Sequence, residues 1–238
     1  MILLIDNYDG CVYNLYQLAG TCLERMTGEA GSAYKKADSE KITEENITEK
    51  EITEKKISEE KIGEPDIRIV RNDKITAEEI RVLAPSHIII SGGAIPPEKA
   101  GNDVDIVRKL AGTVPILGIC LGFRVICSAF GGKETVLCEP MQGKPSRILL
   151  EQGGRTESGI FAGLPEAFMG ARYQSTSIAP ESITAPLHII ARAEDGDIMG
   201  VEAGSGAPLI GLQWHPESFM SEYGMELMSN FLRMERRG

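Results

Sequence analysis

The chain has 238 residues, 42% of them hydrophobic, with 35 acidic against 25 basic side chains and a formal net charge of −10. That length and apolar content suffice for one sizeable α/β core, and the acidic balance opposes a surface that tracks phosphates, so nucleic acid is excluded as the expected partner. Cys11, Cys22, Cys120, Cys127 and Cys138 form an odd set without a Cys-x-x-Cys pair, Met1 to Asp6 lacks the features of a signal peptide, and no apolar run approaches the roughly 20 residues of a membrane helix. A soluble protein of the reducing cytoplasm, with no membrane contact, is expected.

Met1 to Ile5 is a short, wholly apolar run, as in a strand buried on both faces, and Val12 to Leu23 carries apolar residues at helical spacing. Together they read as the first βα unit of a parallel sheet. The chain then breaks its rhythm: from Ile42 it runs Ile-Thr-Glu-Glu-Asn, Ile-Thr-Glu-Lys-Glu, Ile-Thr-Glu-Lys-Lys, a repeat of period five. Period five matches neither helix nor strand, so no buried stripe results. Residues 29–64 therefore read as a low-complexity insertion, solvated or disordered, with a partner-binding arm as the other reading.

Strands are expected at Ile67 to Val70, His87 to Ile90 and Val114 to Ile119, and helices at Ile75 to Leu83, with Thr76 as N-cap, and Val104 to Leu110. After Lys133 the pattern changes to strand-like pieces broken by Gly and Pro, with a last helix from about Glu222 to Met234. The expected fold is α/β: one domain, 1–238, with a doubly wound, mostly parallel sheet flanked by helices in three layers, and a smaller antiparallel extension.

Gly118-Ile-Cys120-Leu-Gly122 has the spacing of a nucleophile elbow, in which a strand turns sharply into a helix and lifts one side chain above the sheet. Cys120 would then sit at the N-terminus of a helix from Leu121 to Phe130, stopped by Gly131-Gly132, where free N–H groups and the helix dipole favour an anionic sulfur. Taken alone, the pentapeptide also fits a small apolar residue in a Gly-rich turn. A base is needed, and the three histidines are His87, His188 and His215. His87 opens a strand and His188 lies in the apolar Leu187 to Ile190 run, which suits structural roles. His215 lies just past a strand in Gly211-Leu-Gln-Trp-His215-Pro-Glu217, with Pro216 stiffening the turn that aims Glu217 at the imidazole. A Cys-His-Glu triad follows. For an oxyanion, the N–H groups of Leu121 and of Gly93, in the loop Ser91-Gly-Gly-Ala-Ile-Pro-Pro97, are the expected donors.

These motifs resemble the class I (triad) glutamine amidotransferases, and among them the glutaminase subunits of anthranilate synthase and of aminodeoxychorismate synthesis. The resemblance rests on Asp6-Asn-Tyr-Asp9 with Tyr13-Asn14-Leu15, the elbow, Phe130-Gly-Gly-Lys133, Gly143-Lys144, Arg172-Tyr173 with Ser175, Ile198-Met-Gly200 and Gln213-Trp-His-Pro-Glu-Ser218. It implies hydrolysis of L-glutamine through a Cys120 thioester, with ammonia passed to a chorismate-binding synthase subunit (component I) in a heteromeric complex that makes anthranilate for tryptophan biosynthesis. It implies no cofactor and no metal in this chain. It also places the substrate's amino-acid end near Gly93, Ala94, Ile95, Arg124, Ser175 and Thr176.

The chain departs from the family's pattern where Cys-x-Gly-His-Gln is Cys120-Leu-Gly-Phe-Arg124, where His-Gly-Lys is Gln142-Gly-Lys144, where Tyr-His-Ser is Tyr173-Gln-Ser175, and where Ser-Pro-Gly-Pro-Gly is Ser91-Gly-Gly-Ala-Ile95. Arg124, one helical turn beyond Cys120, only donates hydrogen bonds, so it pairs either with the substrate carboxylate or with solvent or an acidic neighbour. The β-branched Ile95 is expected to resist φ > 0. Two further readings stay open: a non-catalytic regulatory or assembly subunit on the same fold, and a triad amidase for another γ-glutamyl amide or for a different synthase.

Overall fold

The computed structural model describes residues 1–27, 66–151, 159–204 and 206–235. The five-residue repeat of 29–64 lies outside the described residues.

Buried aliphatic runs build the centre. Strand β1 (Ile2–Asp6) pairs in parallel with β2 (Ile67–Arg71) on one side and β3 (His87–Ile90) on the other, and β4 (Ile116–Ile119) and β9 (Leu209–Leu212) continue the parallel order. Side chains alternate across these strands. Ile2 and Leu4 meet α1 (Val12–Thr27) and α5 (Gly224–Leu232), whereas Leu3 and Ile5 meet α2 (Ala77–Leu83), α3 (Asp103–Leu110) and α4 (Leu121–Ala129). The result is the expected three-layer α/β arrangement. Thr76 caps α2 as its sequence predicts, its hydroxyl accepting from the Glu79 N–H while the Glu79 carboxylate accepts from the Thr76 N–H. Helix α1 runs four residues past the expected Leu23.

The antiparallel extension belongs to the same sheet. Among the described residues its nine strands run in the order β2-β1-β3-β4-β9-β8-β7-β5-β6, with β8 (Ile198–Ala203), β7 (Leu187–Ala193), β5 (Glu134–Leu150) and β6 (Ala167–Ile178) all antiparallel to their neighbours. In place of the broken pieces read from Gly and Pro, β5 is one strand of 17 residues. It passes through Pro140, Gly143 and Pro145 by shifting register against β6 between Val136 and Met141 and again between Gln142 and Lys144. Only Ile148 to Leu150 pair with β7, so the prolines sit where one flank of β5 is unpaired. Beside this hairpin, Arg172 is fully buried and pairs with Asp195 at 2.6 Å and with Asp197, tying β6 to the β7–β8 turn. Among the described residues, no helix is long and apolar enough to cross a membrane.

Candidate active site

The parallel strands end on one edge, and the candidate residues gather there. Cys120 follows β4 directly and has φ 52° and ψ −97°, a strained conformation for a non-glycine residue. Its N–H donates to the Leu212 carbonyl at 2.8 Å, which anchors the turn to β9. Both glycines of the pentapeptide are required by close approach: a Cβ on Gly118 would lie 2.4 Å from the Gly122 carbonyl oxygen, and one on Gly122 would lie 2.4 Å from the Ile90 carbonyl oxygen. The thiol is therefore held at the head of α4, where the first N–H groups of a helix lack intrahelical acceptors.

His215 is positioned by its backbone. Its N–H donates to the Ala171 carbonyl on β6 at 3.0 Å, and its carbonyl accepts from the Ser221 hydroxyl at 2.6 Å. The imidazole Nδ1 hydrogen-bonds the Glu217 carboxylate at 2.6 Å, with the two side chains only 5% and 1% exposed. Tyr173 meets the ring edge-on at 4.9 Å, and its hydroxyl hydrogen-bonds Ser218. Burial works to lower the pKa of His215, but the Cys120 thiol and the Glu217 carboxylate outweigh it and hold the pKa well above the ordinary imidazole value. Nε2 is buried without a hydrogen-bond partner in this resting geometry, and Cys120 lines the same cavity as the ring. Before substrate binds, the hydrogen bonds of a catalytic base are often poorly aligned.

That cavity measures about 390 Å³ and contains Gly93, Ala94, Arg124, Ser175 and Thr176 with Cys120 and His215. Gly93 packs so closely on Leu121 and Asn7 that a Cβ there would lie 2.7 Å from the Leu121 side chain. Ile95 differs from the rest: its side chain packs into the core on the α4 side of the sheet, and its carbonyl rather than its side chain serves the site. Its φ is not positive, so the loop tolerates a β-branched residue at this position. Glu217 closes the far side of His215.

Arg124 is 7% exposed, and its guanidinium is already committed to the protein. Nη1 donates to Glu134 at 2.7 Å and to Thr176 at 3.4 Å, while Nη2 donates to the carbonyls of Gly93 and Ile95 at 3.1 and 3.2 Å. Of the pairings read from sequence, the acidic neighbour is the one present. Gln142 donates to Ser175 across the β5–β6 hairpin.

His87 and His188 stand apart from this cluster. His87 Nε2 bonds the Met234 carbonyl at 3.0 Å, its ring meets Phe231 edge-on, and burial lowers its pKa. That is the structural role expected of it. His188 lies exposed on β7 instead of packing within its apolar run.

Three contributors escaped the sequence reading. Gln213, on the strand end before Trp214, donates to the Cys120 sulfur at 3.6 Å. Asp9 accepts from the Cys11 N–H at 3.0 Å and keeps its other oxygen buried in the cavity. Cys11 itself lines the cavity. The signal for Gln213 was present in its place two residues before His215, which puts it on the same side of an extended chain. Asp9 and Cys11 come from the other end of the sequence; Asp9 stands in the Asp6-Asn-Tyr-Asp9 motif with no site role read from it, and Cys11 leaves no local signal.

Residues 55–234 match the family model of class-I glutamine amidotransferases. The chain is 35% identical over 232 residues to aminodeoxychorismate synthase component 2 of Escherichia coli, covering 98% of this chain and 99% of that one. It is 32% identical over 237 residues to aminodeoxychorismate/anthranilate synthase component 2 of Bacillus subtilis, covering 100% and 98%. The bifunctional protein TrpGD of Thermotoga maritima is 35% identical over 234 residues, and the chain, 98% covered, spans only 32% of that longer protein. In fold it is similar to a putative GMP synthase subunit from Thermoplasma acidophilum, with a TM-score of 0.67, 20% identity and coverage of 97% and 91%. With the elbow cysteine, the buried His-Glu pair and a match that spans most of the sequence, the chain belongs to the class-I glutamine amidotransferase family.

Proposed function

We propose that the chain is a glutaminase subunit that hydrolyses L-glutamine and hands the ammonia to a chorismate-using synthase partner, with anthranilate as the first product to test. The observation that carries the reading is the 2.6 Å bond between His215 Nδ1 and Glu217, set over the same cavity as a cysteine at a strained strand-to-helix turn.

In this reading the Cys120 sulfur, as a thiolate paired with the protonated imidazole, attacks the side-chain amide carbon of glutamine. The carbonyl oxygen becomes an oxyanion that the N–H groups of Gly93 and Leu121 stabilise. His215, protonated through the influence of its two anionic neighbours, gives its Nε2 proton to the amide nitrogen, and ammonia leaves with formation of a thioester. The now neutral imidazole takes a proton from water, the hydroxide attacks the thioester carbon, and glutamate departs as the Cys120 thiolate is expelled beside the imidazolium, restoring the starting pair. Glu217 keeps the other ring proton on Nδ1 throughout, fixing the tautomer. Gly93, Ala94, Ser175 and Thr176 form the wall against which the amino-acid end of glutamine would rest. Arg124 acts on that wall through the Gly93 and Ile95 carbonyls.

The partner reading draws on relatives that are named component 2 of a synthase. Glutamate release from the purified chain, with and without a chorismate-using synthase subunit, tests both halves. Release should rise on adding the partner and vanish in Cys120→Ser. Absence of release from glutamine in every condition would leave a non-catalytic subunit, or, if other γ-glutamyl amides are cleaved, an amidase of different substrate.

A further inference from the structure

We propose that Cys11, His215 and Glu217 form a site for one thiophilic divalent cation, Zn²⁺ by its donor set, and that filling it halts the chemistry of Cys120. The inhibitory half rests on the glutaminase reading; the binding half does not.

The Cys11 sulfur, a ring nitrogen of His215 and a carboxylate oxygen of Glu217 lie within 4.8 Å of one another. A tetrahedral zinc with bonds of about 2.0–2.3 Å holds its ligands roughly 3.3–3.8 Å apart, so on binding the 2.6 Å contact between His215 and Glu217 opens and the more distant ligand atoms move inward by about 1 Å. Cys11 has no part in glutamine hydrolysis as derived above, yet the turn from Asp9 presents its sulfur to the cavity.

Independent observations point to a cation here. Glu217 Oε2 is a buried ligand atom without a hydrogen-bond partner, on a side chain 1% exposed. Asp9 Oδ2 is a second such atom, held beside the ring: a Cβ on Gly92 would lie 2.8 Å from it and 3.0 Å from His215 Cε1. Two carboxylates and a thiol thus converge on one imidazole. The mixture of sulfur, nitrogen and oxygen suits zinc and disfavours magnesium or calcium, which take oxygen ligands. A metal on the imidazole removes the lone pair that His215 needs to activate water. Cys120, in the same cavity, is left without its proton carrier.

The test uses the full chain, with Zn²⁺ titrated against a chromophoric chelator and Co²⁺ as an optical probe of sulfur ligation. Wild type should bind one equivalent with micromolar or tighter affinity and give a sulfur-to-cobalt charge-transfer band. Cys120→Ser should keep both. Cys11→Ser and Cys11→Ala, checked for folding by circular dichroism, should lose the band and at least about tenfold in affinity. In glutamate release, half-inhibition by Zn²⁺ should need at least about tenfold more metal in the Cys11 variants, each relative to its own metal-free rate. Equal binding by the Cys11 variants overturns the proposal, as does a band that survives in them and disappears in Cys120→Ser, or a wild type that fails to bind. Binding as expected in a chain that never releases glutamate would leave the site standing and remove the glutaminase reading instead.

Discussion

Arg124 Nη1 lies 2.7 Å from Glu134 Oε1, while the other terminal nitrogen of the same guanidinium donates to the carbonyls of Gly93 and Ile95. One nearly buried cation therefore ties α4, the start of β5 and the loop that carries the proposed oxyanion donor. Arg124→Gln removes both the charge and the second carbonyl contact. It should lower kcat for glutamine hydrolysis by about 10- to 100-fold, less than the loss of a donor outright, because the Gly93 N–H is loosened rather than deleted. Stability should fall by about 1–3 kcal/mol, since Glu134 is left facing no partner in a half-buried position. Steady-state kinetics with urea denaturation check this; a raised KM with unchanged kcat would instead make Arg124 a substrate ligand.

Glu217 hydrogen-bonds the imidazole of His215 and does not line the cavity. Glu217→Gln keeps the shape of the side chain but removes the charge that helps hold His215 in its protonated form. A drop in kcat of about 10²- to 10⁴-fold is expected. Because the carboxylate raises the pKa of His215, its loss should also move the alkaline limb of the pH–rate profile to lower pH. An unshifted limb would mean that Glu217 only packs against the ring.

Asp103 gives a pH dependence of stability. It is fully buried at the head of α3, and burial pushes its pKa from 3.8 up to about 7, with the Asn7 side chain opposing in part. Between those two values the folded state holds a proton that the unfolded state has released, so stability falls as pH rises from about 4 to about 7 and then levels. The size of this loss is about 4 kcal/mol as an order of magnitude. Asp103→Asn should gain on wild type in urea denaturation at pH 8 relative to pH 5. Parallel behaviour of the two proteins across that range would show the carboxyl to be ionised in the fold.

Phe219 is 94% exposed, four residues past His215, and Tyr13 is 67% exposed, two past Cys11. Large aromatic side chains left in solvent beside such a site suit burial against a partner. Phe219→Ala should weaken binding of the synthase partner proposed above by about tenfold or more while glutamate release by the isolated chain stays unchanged. Titration of the partner followed by activity measures both, and an unaltered affinity would place the interface elsewhere.

The sequence by itself determined whatever depends on near neighbours. Apolar runs of four or five residues give strands buried on both faces, and Thr76 with Glu79 gives a capped helix, because these rules act within a few residues. The two elbow glycines fix where Cys120 turns, and a proline between His215 and Glu217 aims one at the other. Strand β5 was less legible, since Pro140, Gly143 and Pro145 break a local pattern but not a strand whose other flank is unpaired.

Only the tertiary structure decided where Arg124 and Cys11 point. The partners of Arg124 lie 10, 29, 31 and 52 residues away, and the choice between solvent, substrate and Glu134 is made by the packing of α4 against the β5–β6 hairpin. Cys11 reaches His215 because β1 and β9 sit in one parallel sheet and end on the same edge. No local propensity encodes strand order, which follows from which apolar faces can be covered together, so contacts across that edge become visible only when the whole sheet is formed.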